Sequence, residues 1–348
     1  MSVITILGAG AMGSALANAV QRAGWDVRLW GTWLDDHLLD AIEAGKPHPR
    51  IDVVISPQVS TYRSDALAEA LDGADVVVMS VSSVGVPKVT ELALEGIAKA
   101  DALWLTSKGF FEHEDGQISL LPDGIRSIAK AAGVELPPIV AIAGPVKANE
   151  CAASEPTATI FGCRDLDVAV RYARQARSEQ YAIEPTDDEV GVEICAPMKN
   201  VYAIMLGIAD GLEEKTGHPH HNLKAATFSQ AVREMSLLSQ HLGARPETAY
   251  GLPGVGDLEV TGLSGRNKVY GVRIGRGEGA RGALATMEEL EQTVEGVNAI
   301  PLAIALVRQS ANAIIEDLPL LFAAQKVVEE DAANYAELVA QAVLPKMP

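Results

Sequence analysis

The stretch "SVITILGAGAMGSALANAVQRAGWDVRLWG", residues 2–31, decides the fold of the first half of the chain. It opens with a short β-branched run, passes through Gly8, Gly10 and Gly13 into a helical pattern, and ends in the strand-like "DVRLW". A bare GxGxxG pattern is weak evidence, but here it joins a strand to a helix within a unit of about 30 residues. The stretch therefore predicts the first βαβ turn of a Rossmann-type dinucleotide-binding domain.

Each glycine of this pattern has its own physical role. Gly8 permits the tight turn, Gly10 lets the backbone approach a pyrophosphate, and Gly13 lets the helix pack closely on the strand. The helix that starts with Ala11 and Met12 then offers free N–H groups and a positive dipole end to the diphosphate. The expected cofactor is therefore NAD or NADP.

The residue that ends the second strand usually selects between these two cofactors. An acidic residue there binds the ribose 2′-hydroxyl, whereas an arginine accommodates a 2′-phosphate. This chain has Gly31 and Thr32 at that place, and Asp35 and Asp36 are expected to cap the next helix. Because Thr32 offers one neutral hydrogen bond, we expect use of both cofactors with a mild preference for NADP.

Length and charge narrow the class of protein. The 348 residues suffice for two domains. A net charge of −18 argues against nucleic-acid partners and against an anionic membrane surface, but allows a small substrate. No run reaches the roughly 18 uncharged apolar residues of a membrane span. The three scattered cysteines indicate a reducing compartment, and no cluster has the spacing of metal ligands, so we expect a cytoplasmic protein without a metal.

The pattern of apolar residues changes near the middle of the chain. Apolar runs up to about residue 186 predict further strands, and Lys108 follows one of them, at the sheet edge where ligands bind. Beyond about residue 190, helical patterns replace the strands. We therefore predict an α/β Rossmann-type NAD(P)-binding domain over residues 1–188 and an all-helical substrate domain over residues 189–348. The main helical patterns cover residues 189–214, 222–243, 299–313 and 330–343.

A lysine in the first of these helices needs an explanation. "GVEICAPMKNVYAIMLGIADG", residues 191–211, places Lys199 and Asn200 in the middle of an apolar pattern. An unpaired buried ammonium is costly, so Lys199 either lies on an exposed stripe or has a partner.

The glycine-rich stretch 249–277 predicts a functional loop between helices. Asp257 and Thr261 lie within it, and Arg266 and Asn267 open a helical pattern. Arginine recognises phosphate in a bidentate manner, and a helix start adds backbone N–H groups. The stretch therefore suits an anionic substrate.

Over nearly its whole length the chain resembles the NAD(P)-dependent glycerol-3-phosphate dehydrogenases. The resemblance implies interconversion of dihydroxyacetone phosphate and sn-glycerol 3-phosphate by a homodimer, with the site between an N-terminal Rossmann domain and a C-terminal helical domain. It rests on several motifs in the right order. These are "GAGAMGSALA", "SKGF", "AGP" with "PTA", "GVEICAPMKNVYAIMLGIADG", "GLPGVGDLEVTGLSGRN" and "TVEGVNA".

The resemblance also implies roles for individual residues. Lys199 corresponds to the proton donor and acceptor, with Asn200 beside it, and Lys108 to a lysine that touches substrate and cofactor. The other implied contacts are Asp257 and Thr261 with the substrate hydroxyls, Arg266 and Asn267 with the phosphate, Arg266 and Glu295 with the cofactor, and Gly144 and Ala148 near the nicotinamide.

Three alternatives stay open at this point. The same reaction on a larger polyol phosphate or ketose phosphate is one, because "TFSQ" at 227–230 and "VK" at 146–147 depart from the family pattern. A non-catalytic NAD(P)-binding sensor is the second, although Lys199 and Arg266 are both present. The third, a β-hydroxyacid or 6-phosphogluconate-type dehydrogenase, does not account for "GDLEVTGLSGRN".

Overall fold

A computed structural model describes residues 2–290 and 292–344 of the chain. These residues form two compact units. The first contains residues 2–111 and 120–189, and the second contains 112–119 and the described residues from 190 onward. Both units are discontinuous in sequence because the segment 112–119 belongs to the second one. The predicted ranges, residues 1–188 and 189–348, were each continuous and did not include this exchange.

The first unit is built on an eight-stranded sheet in the order β10-β9-β8-β5-β4-β1-β2-β3, and a separate pair is formed by β6 and β7. Neighbouring strands of the large sheet run parallel, except that β8 and β9 are antiparallel. The strands are β1 Val3–Leu7, β2 Asp26–Trp30, β3 Ser60–Tyr62, β4 Val76–Met79, β5 Ala102–Leu105, β6 Phe110–Glu112, β7 Ile118–Leu120, β8 Ile139–Ala143, β9 Thr157–Gly162 and β10 Tyr181–Thr186. The helices are α1 Ala11–Arg22, α2 Asp36–Glu43, α3 Leu67–Leu71, α4 Val86–Ile97, α5 Leu121–Ala131, α6 Ala148–Ala152 and α7 Leu166–Ala176.

Both faces of this sheet are covered by apolar side chains. Along β4, Val76 and Val78 belong to one hydrophobic cluster, whereas Val77 and Met79 belong to another on the opposite face. This alternation is the two-residue period of a strand, and burial on both sides is typical of parallel sheets. It explains why the strand sequences read as continuous apolar runs.

The second unit is helical. Its long central helix is α8. The helical pattern predicted to open at Arg266 is α11, but the part of the glycine-rich stretch before it, predicted as a loop, contains one π-helical turn at Leu252–Gly256 and the helix α10. Helices α12 and α14 were also missed. The helices are α8 Glu189–Thr216, α9 His221–His241, α10 Asp257–Ser264, α11 Arg266–Arg276, α12 Ala280–Glu289, α13 Glu295–Ser310, α14 Pro319–Val328 and α15 Tyr335–Val343.

The glycines of this stretch serve close packing between helices. A Cβ atom placed on Gly271 of α11 would lie 2.0 Å from the carbonyl oxygen of Ile204 in α8. Reciprocally, a Cβ on Gly207 of α8 would lie 2.2 Å from the carbonyl oxygen of Lys268. The two backbones therefore touch, and this contact fixes α8 against the first two turns of α11.

Helix α8 is long and apolar enough to cross a membrane by length and composition alone. Its most apolar window is, however, completely buried in the structure. Helix α8 is therefore a core helix of the second unit.

Candidate active site

The glycine-rich turn of the first unit has the geometry that a dinucleotide requires. Gly8 has φ +114°, and a Cβ there would lie 2.8 Å from the carbonyl oxygen of Ser80. A Cβ on Gly13 would lie 2.1 Å from the carbonyl oxygen of Gly8. Gly10 directly precedes α1. A Cβ atom on Gly10 would have only Arg50 Nη1 within 4 Å, at 3.8 Å, so the surroundings of Gly10 leave room for a pyrophosphate.

The end of β2 differs from the sequence-based expectation. Asp35 precedes α2, but its side chain makes no capping hydrogen bond. Instead its Oδ2 accepts hydrogen bonds from the backbone N–H and the hydroxyl of Thr32, each at 2.9 Å. The sequence predicted no acid at this place; the chain folds back and brings one there. The hydroxyl proton of Thr32 is donated to Asp35, so a cofactor contact through that proton competes with an existing bond.

The other first-unit candidates follow β5 and β8. Lys108 lies between β5 and β6 and is partly exposed. Gly144 directly follows β8 with φ +138°, a conformation that other residues adopt only under strain. Ala148 is the first residue of α6. These residues therefore lie in or next to the connections that follow strand ends.

In the second unit, Lys199 has the partners that its burial demands. The residue is 8% exposed. Its Nζ donates hydrogen bonds to Asp257 Oδ1 at 2.8 Å and to Thr261 Oγ1 at 2.7 Å. Asp257 and Thr261 are one turn apart on α10, so both face α8 from one side of that helix. The lysine is a buried, paired cation and does not lie on an exposed stripe.

Asn200 belongs to a directed chain of hydrogen bonds. The backbone N–H of Gly296 donates to Asn267 Oδ1 at 2.8 Å, and Asn267 Nδ2 donates to Asn200 Oδ1 at 3.0 Å. Asn200 Nδ2 then donates to Glu295 Oε2, also at 3.0 Å. Because a backbone N–H can only donate, it sets the orientation of both amides. The family resemblance implies that Asn267 contacts the phosphate; its side-chain amide is engaged with Asn200 and Gly296 in this structure.

Arg266 and the start of α11 form the cationic part of this unit. The Arg266 guanidinium is about half exposed and lies 3.8 Å from Glu295 Oε1. The first backbone bond of α11 runs from Val269 N–H to the Gly265 carbonyl. The amides of residues 266–268 therefore precede the hydrogen-bonded helix and are the groups that a helix N-terminus presents to an anion.

Two residues near the dinucleotide turn carry no motif and were missed. His48 is fully buried, and its Nε2 lies 3.0 Å from the carbonyl oxygen of Ala9. Arg50 is exposed and reaches Gly10. Both lie in the connection between α2 and β3, which has no regular periodicity that would mark it as functional. Among the residues that the structure describes, no group of three or more His, Cys, Asp or Glu side chains could hold a metal ion.

Comparison with known proteins identifies the family. Residues 3–169 match the family description "NAD-dependent glycerol-3-phosphate dehydrogenase N-terminus", and residues 188–339 match the corresponding C-terminus. The chain belongs to the NAD-dependent glycerol-3-phosphate dehydrogenase family. The resemblance seen in the sequence is thereby confirmed.

Individual glycerol-3-phosphate dehydrogenases agree with this assignment. An Archaeoglobus fulgidus protein named NADP(+)-dependent glycerol-3-phosphate dehydrogenase is 35% identical over 295 residues, which cover 85% of each chain. A Deinococcus radiodurans protein named glycerol-3-phosphate dehydrogenase [NAD(P)+] is 35% identical over 80% of this chain and 79% of its own. The crystal structure of the Coxiella burnetii glycerol-3-phosphate dehydrogenase has a TM-score of 0.84 at 27% identity and covers 99% of both chains. The predicted fold class, a Rossmann-type domain followed by helices, is confirmed.

Proposed function

We propose that this glycerol-3-phosphate dehydrogenase interconverts dihydroxyacetone phosphate and sn-glycerol 3-phosphate with NAD(P)H or NAD(P)+, and that Lys199 exchanges the proton. The observation that carries this role is the buried Lys199 ammonium with hydrogen bonds to Asp257 and Thr261. Such an ammonium is fixed in direction and held next to a carboxylate, which favours its charged form. It is the arrangement expected of a general acid.

The reaction needs one hydride and one proton. The nicotinamide, when bound, supplies the hydride to the carbonyl carbon of the substrate. As the C=O π bond opens, negative charge develops on the oxygen, and the Lys199 ammonium stabilises it and then donates a proton. In the reverse direction the neutral Lys199 amine accepts the hydroxyl proton. Asp257 and Thr261 orient the amine throughout, and Asn200 lies next to it on α8.

For the phosphate we propose Arg266 together with the first amides of α11, including that of Asn267. The guanidinium is half exposed, and its ion-pair contact with Glu295 is long at 3.8 Å. A dianionic phosphate would therefore compete for Arg266 without breaking a tight pair. Glu295 and Arg266 are also proposed as cofactor contacts.

For the cofactor we propose the turn Gly8–Gly13, including Ala11 and Met12, whose backbone has room for a diphosphate. Thr32 is proposed to lie at the adenosine ribose, and Lys108, Gly144 and Ala148 to approach the reacting end. The roles of Lys108 and Gly144 extend to the substrate.

We also propose that the protein is cytoplasmic and forms a homodimer. All three cysteines are free and buried, which fits a reducing compartment. The homodimer rests on the family resemblance alone, and light scattering of the purified protein tests it.

The experiment that tests the function follows oxidation of NADH and of NADPH in separate assays. The substrates are dihydroxyacetone phosphate, unphosphorylated dihydroxyacetone and larger ketose phosphates. Dihydroxyacetone phosphate is expected to give the highest kcat/KM, with sn-glycerol 3-phosphate as product. A larger ketose phosphate with a higher kcat/KM would support the alternative substrate. No turnover of any of them, with cofactor still bound, would support a sensor.

A further inference from the structure

We propose that Arg50 binds the 2′-phosphate of NADP and so makes this enzyme competent for that cofactor without an arginine at the end of β2. The inference rests on the proposed use of NAD(P) at the glycine-rich turn. It concerns a residue outside every motif of the sequence.

The position of Arg50 is the first support. A Cβ atom placed on Gly10 would lie 3.8 Å from Arg50 Nη1. Gly10 is the glycine that a bound diphosphate approaches, so the guanidinium lies at the edge of the dinucleotide site. Arg50 is exposed, and no hydrogen bond or ion pair engages its guanidinium among the described residues. An anionic ligand would therefore meet an available bidentate donor.

The loop that carries Arg50 is firmly held, which is the second support. Residues 47 and 54 form a β-bridge, and His48 N–H donates to the Val53 carbonyl at 2.9 Å. The buried His48 ring contacts the Ala9 carbonyl oxygen through Nε2 and accepts the Arg50 N–H through Nδ1, at 3.0 and 3.2 Å. His48 therefore ties the base of Arg50 directly to the glycine-rich turn.

A second attachment lies farther along the same loop. Asn18 of α1 donates to the Val54 carbonyl at 3.2 Å and accepts from Ser56 N–H at 2.8 Å. The loop is thus fixed both to the turn and to the helix behind it. The backbone that carries Arg50 therefore loses little further freedom when the guanidinium binds a ligand.

Electrostatics explains why the 2′-phosphate needs this residue. The end of β2 is occupied by the buried Asp35 carboxylate, which is bound to Thr32. An acid there favours a ribose hydroxyl and repels a phosphate. The glycine-rich turn beside Arg50 adjoins the end of β2, because the Gly8 N–H donates to the carbonyl oxygen of Trp30, the last residue of β2, at 2.8 Å. Arg50 is the cation that offsets Asp35, whereas a diphosphate already has the amides at the start of α1.

The test measures binding rather than turnover, with Arg50→Gln as the variant and Lys46→Gln as its control. Lys46 is an exposed cation of the same loop, so both changes remove one positive charge. The probes are adenosine 2′,5′-bisphosphate against 5′-AMP, and NADPH against NADH, by calorimetry or fluorescence titration. Arg50→Gln should weaken the two 2′-phosphorylated probes about 10- to 100-fold and the other two by less than about twofold. Lys46→Gln should leave all four nearly unchanged.

Equal losses on NADPH and NADH would place Arg50 on the diphosphate and overturn the proposal, as would no loss on any probe. Added salt should shrink the difference between the wild type and Arg50→Gln, because the guanidinium is exposed. The outcome is independent of the reaction: selective binding of 2′-phosphates would stand even if dihydroxyacetone phosphate proved not to be the substrate.

Discussion

The Nζ atom of Lys199 lies 2.8 Å from Oδ1 of Asp257, two residues 58 positions apart in the chain and both nearly excluded from solvent. Pairing of this kind makes a buried ammonium tolerable, because the charge keeps hydrogen bonds and an opposite partner. It also fixes the direction in which the proton can leave. The pair therefore both stabilises the buried Lys199 and orients it for proton transfer.

Arg266→Ala should weaken catalysis on phosphorylated substrate much more than on its neutral analogue. A charge-assisted bond to an anion is worth roughly 1.5–3 kcal/mol, so kcat/KM for dihydroxyacetone phosphate should fall about 10- to 150-fold. The measurement compares dihydroxyacetone phosphate with dihydroxyacetone. Arg276→Ala, at the other end of the same helix, is the control, since Arg276 is paired with Glu214. Equal losses on both substrates would remove Arg266 from phosphate recognition.

Asn267→Asp should disturb the directed chain of hydrogen bonds. Aspartate still accepts from Gly296 N–H, but it presents oxygen to Asn200 Oδ1, so Asn200 must turn its own oxygen toward Glu295. We expect a loss of about 1–3 kcal/mol in unfolding free energy, measured by urea denaturation, and a lower kcat. Asn298→Asp, on an exposed position of α13, is the control.

Adding Glu295→Gln to Asn267→Asp should reverse the chain and recover part of the stability. Glutamine at 295 can donate to the turned Asn200, which a carboxylate cannot. The free energies of unfolding of the two single variants give the value expected if their effects add. A double variant less stable than that value would contradict the directed chain of hydrogen bonds.

The sequence revealed the chemistry of the site but not its connections. The βαβ unit was readable because strand, glycines and helix are local, and Lys199 stood out as a charge in an apolar helix. Its partner lies too far along the chain for any periodic pattern to reveal. The family resemblance implied that Asp257 contacts the substrate, and the structure shows that it also pairs with Lys199.

The glycine-rich stretch before Arg266, which contains α10, was wrongly predicted as a loop for a related reason. Isolated glycine lowers helix propensity, so a glycine-rich stretch predicts a loop. The glycines of these helices serve packing instead: at Gly271 only a hydrogen fits beside the Ile204 carbonyl, a contact between distant segments. The return of Asp35 onto Thr32 and the reach of Arg50 toward Gly10 are likewise tertiary events that local propensity cannot encode.

Glu234 should make stability fall as pH rises. Burial raises its pKa from 4.5 to about 7, although Tyr202 and the amides of Leu320 and Leu321 donate to it. The folded state therefore binds more protons than the unfolded state between pH of about 4.5 and 7. Glu234 therefore contributes about 3 kcal/mol to the free energy of unfolding below its unfolded pKa. This contribution is lost as the pH rises through the folded pKa.

The check is urea denaturation of wild type and Glu234→Gln at pH 5 and pH 8. The variant cannot ionise at this position, so the stability difference between the two proteins should shift with pH in its favour. A difference that is constant with pH would contradict a shifted carboxyl at Glu234.

The most direct test of the account is the turnover of Lys199→Ala with dihydroxyacetone phosphate, measured beside NADPH affinity. We expect kcat to fall at least about 10²- to 10⁴-fold, because general acid catalysis and charge stabilisation are both lost, while the Kd of the cofactor stays near that of wild type. Lys224→Ala, which breaks a lysine–aspartate pair with Asp210 in the same unit, should keep its activity. Added alkylamines should restore part of the turnover of Lys199→Ala. Near wild-type turnover in Lys199→Ala would contradict the assignment of the proton to Lys199.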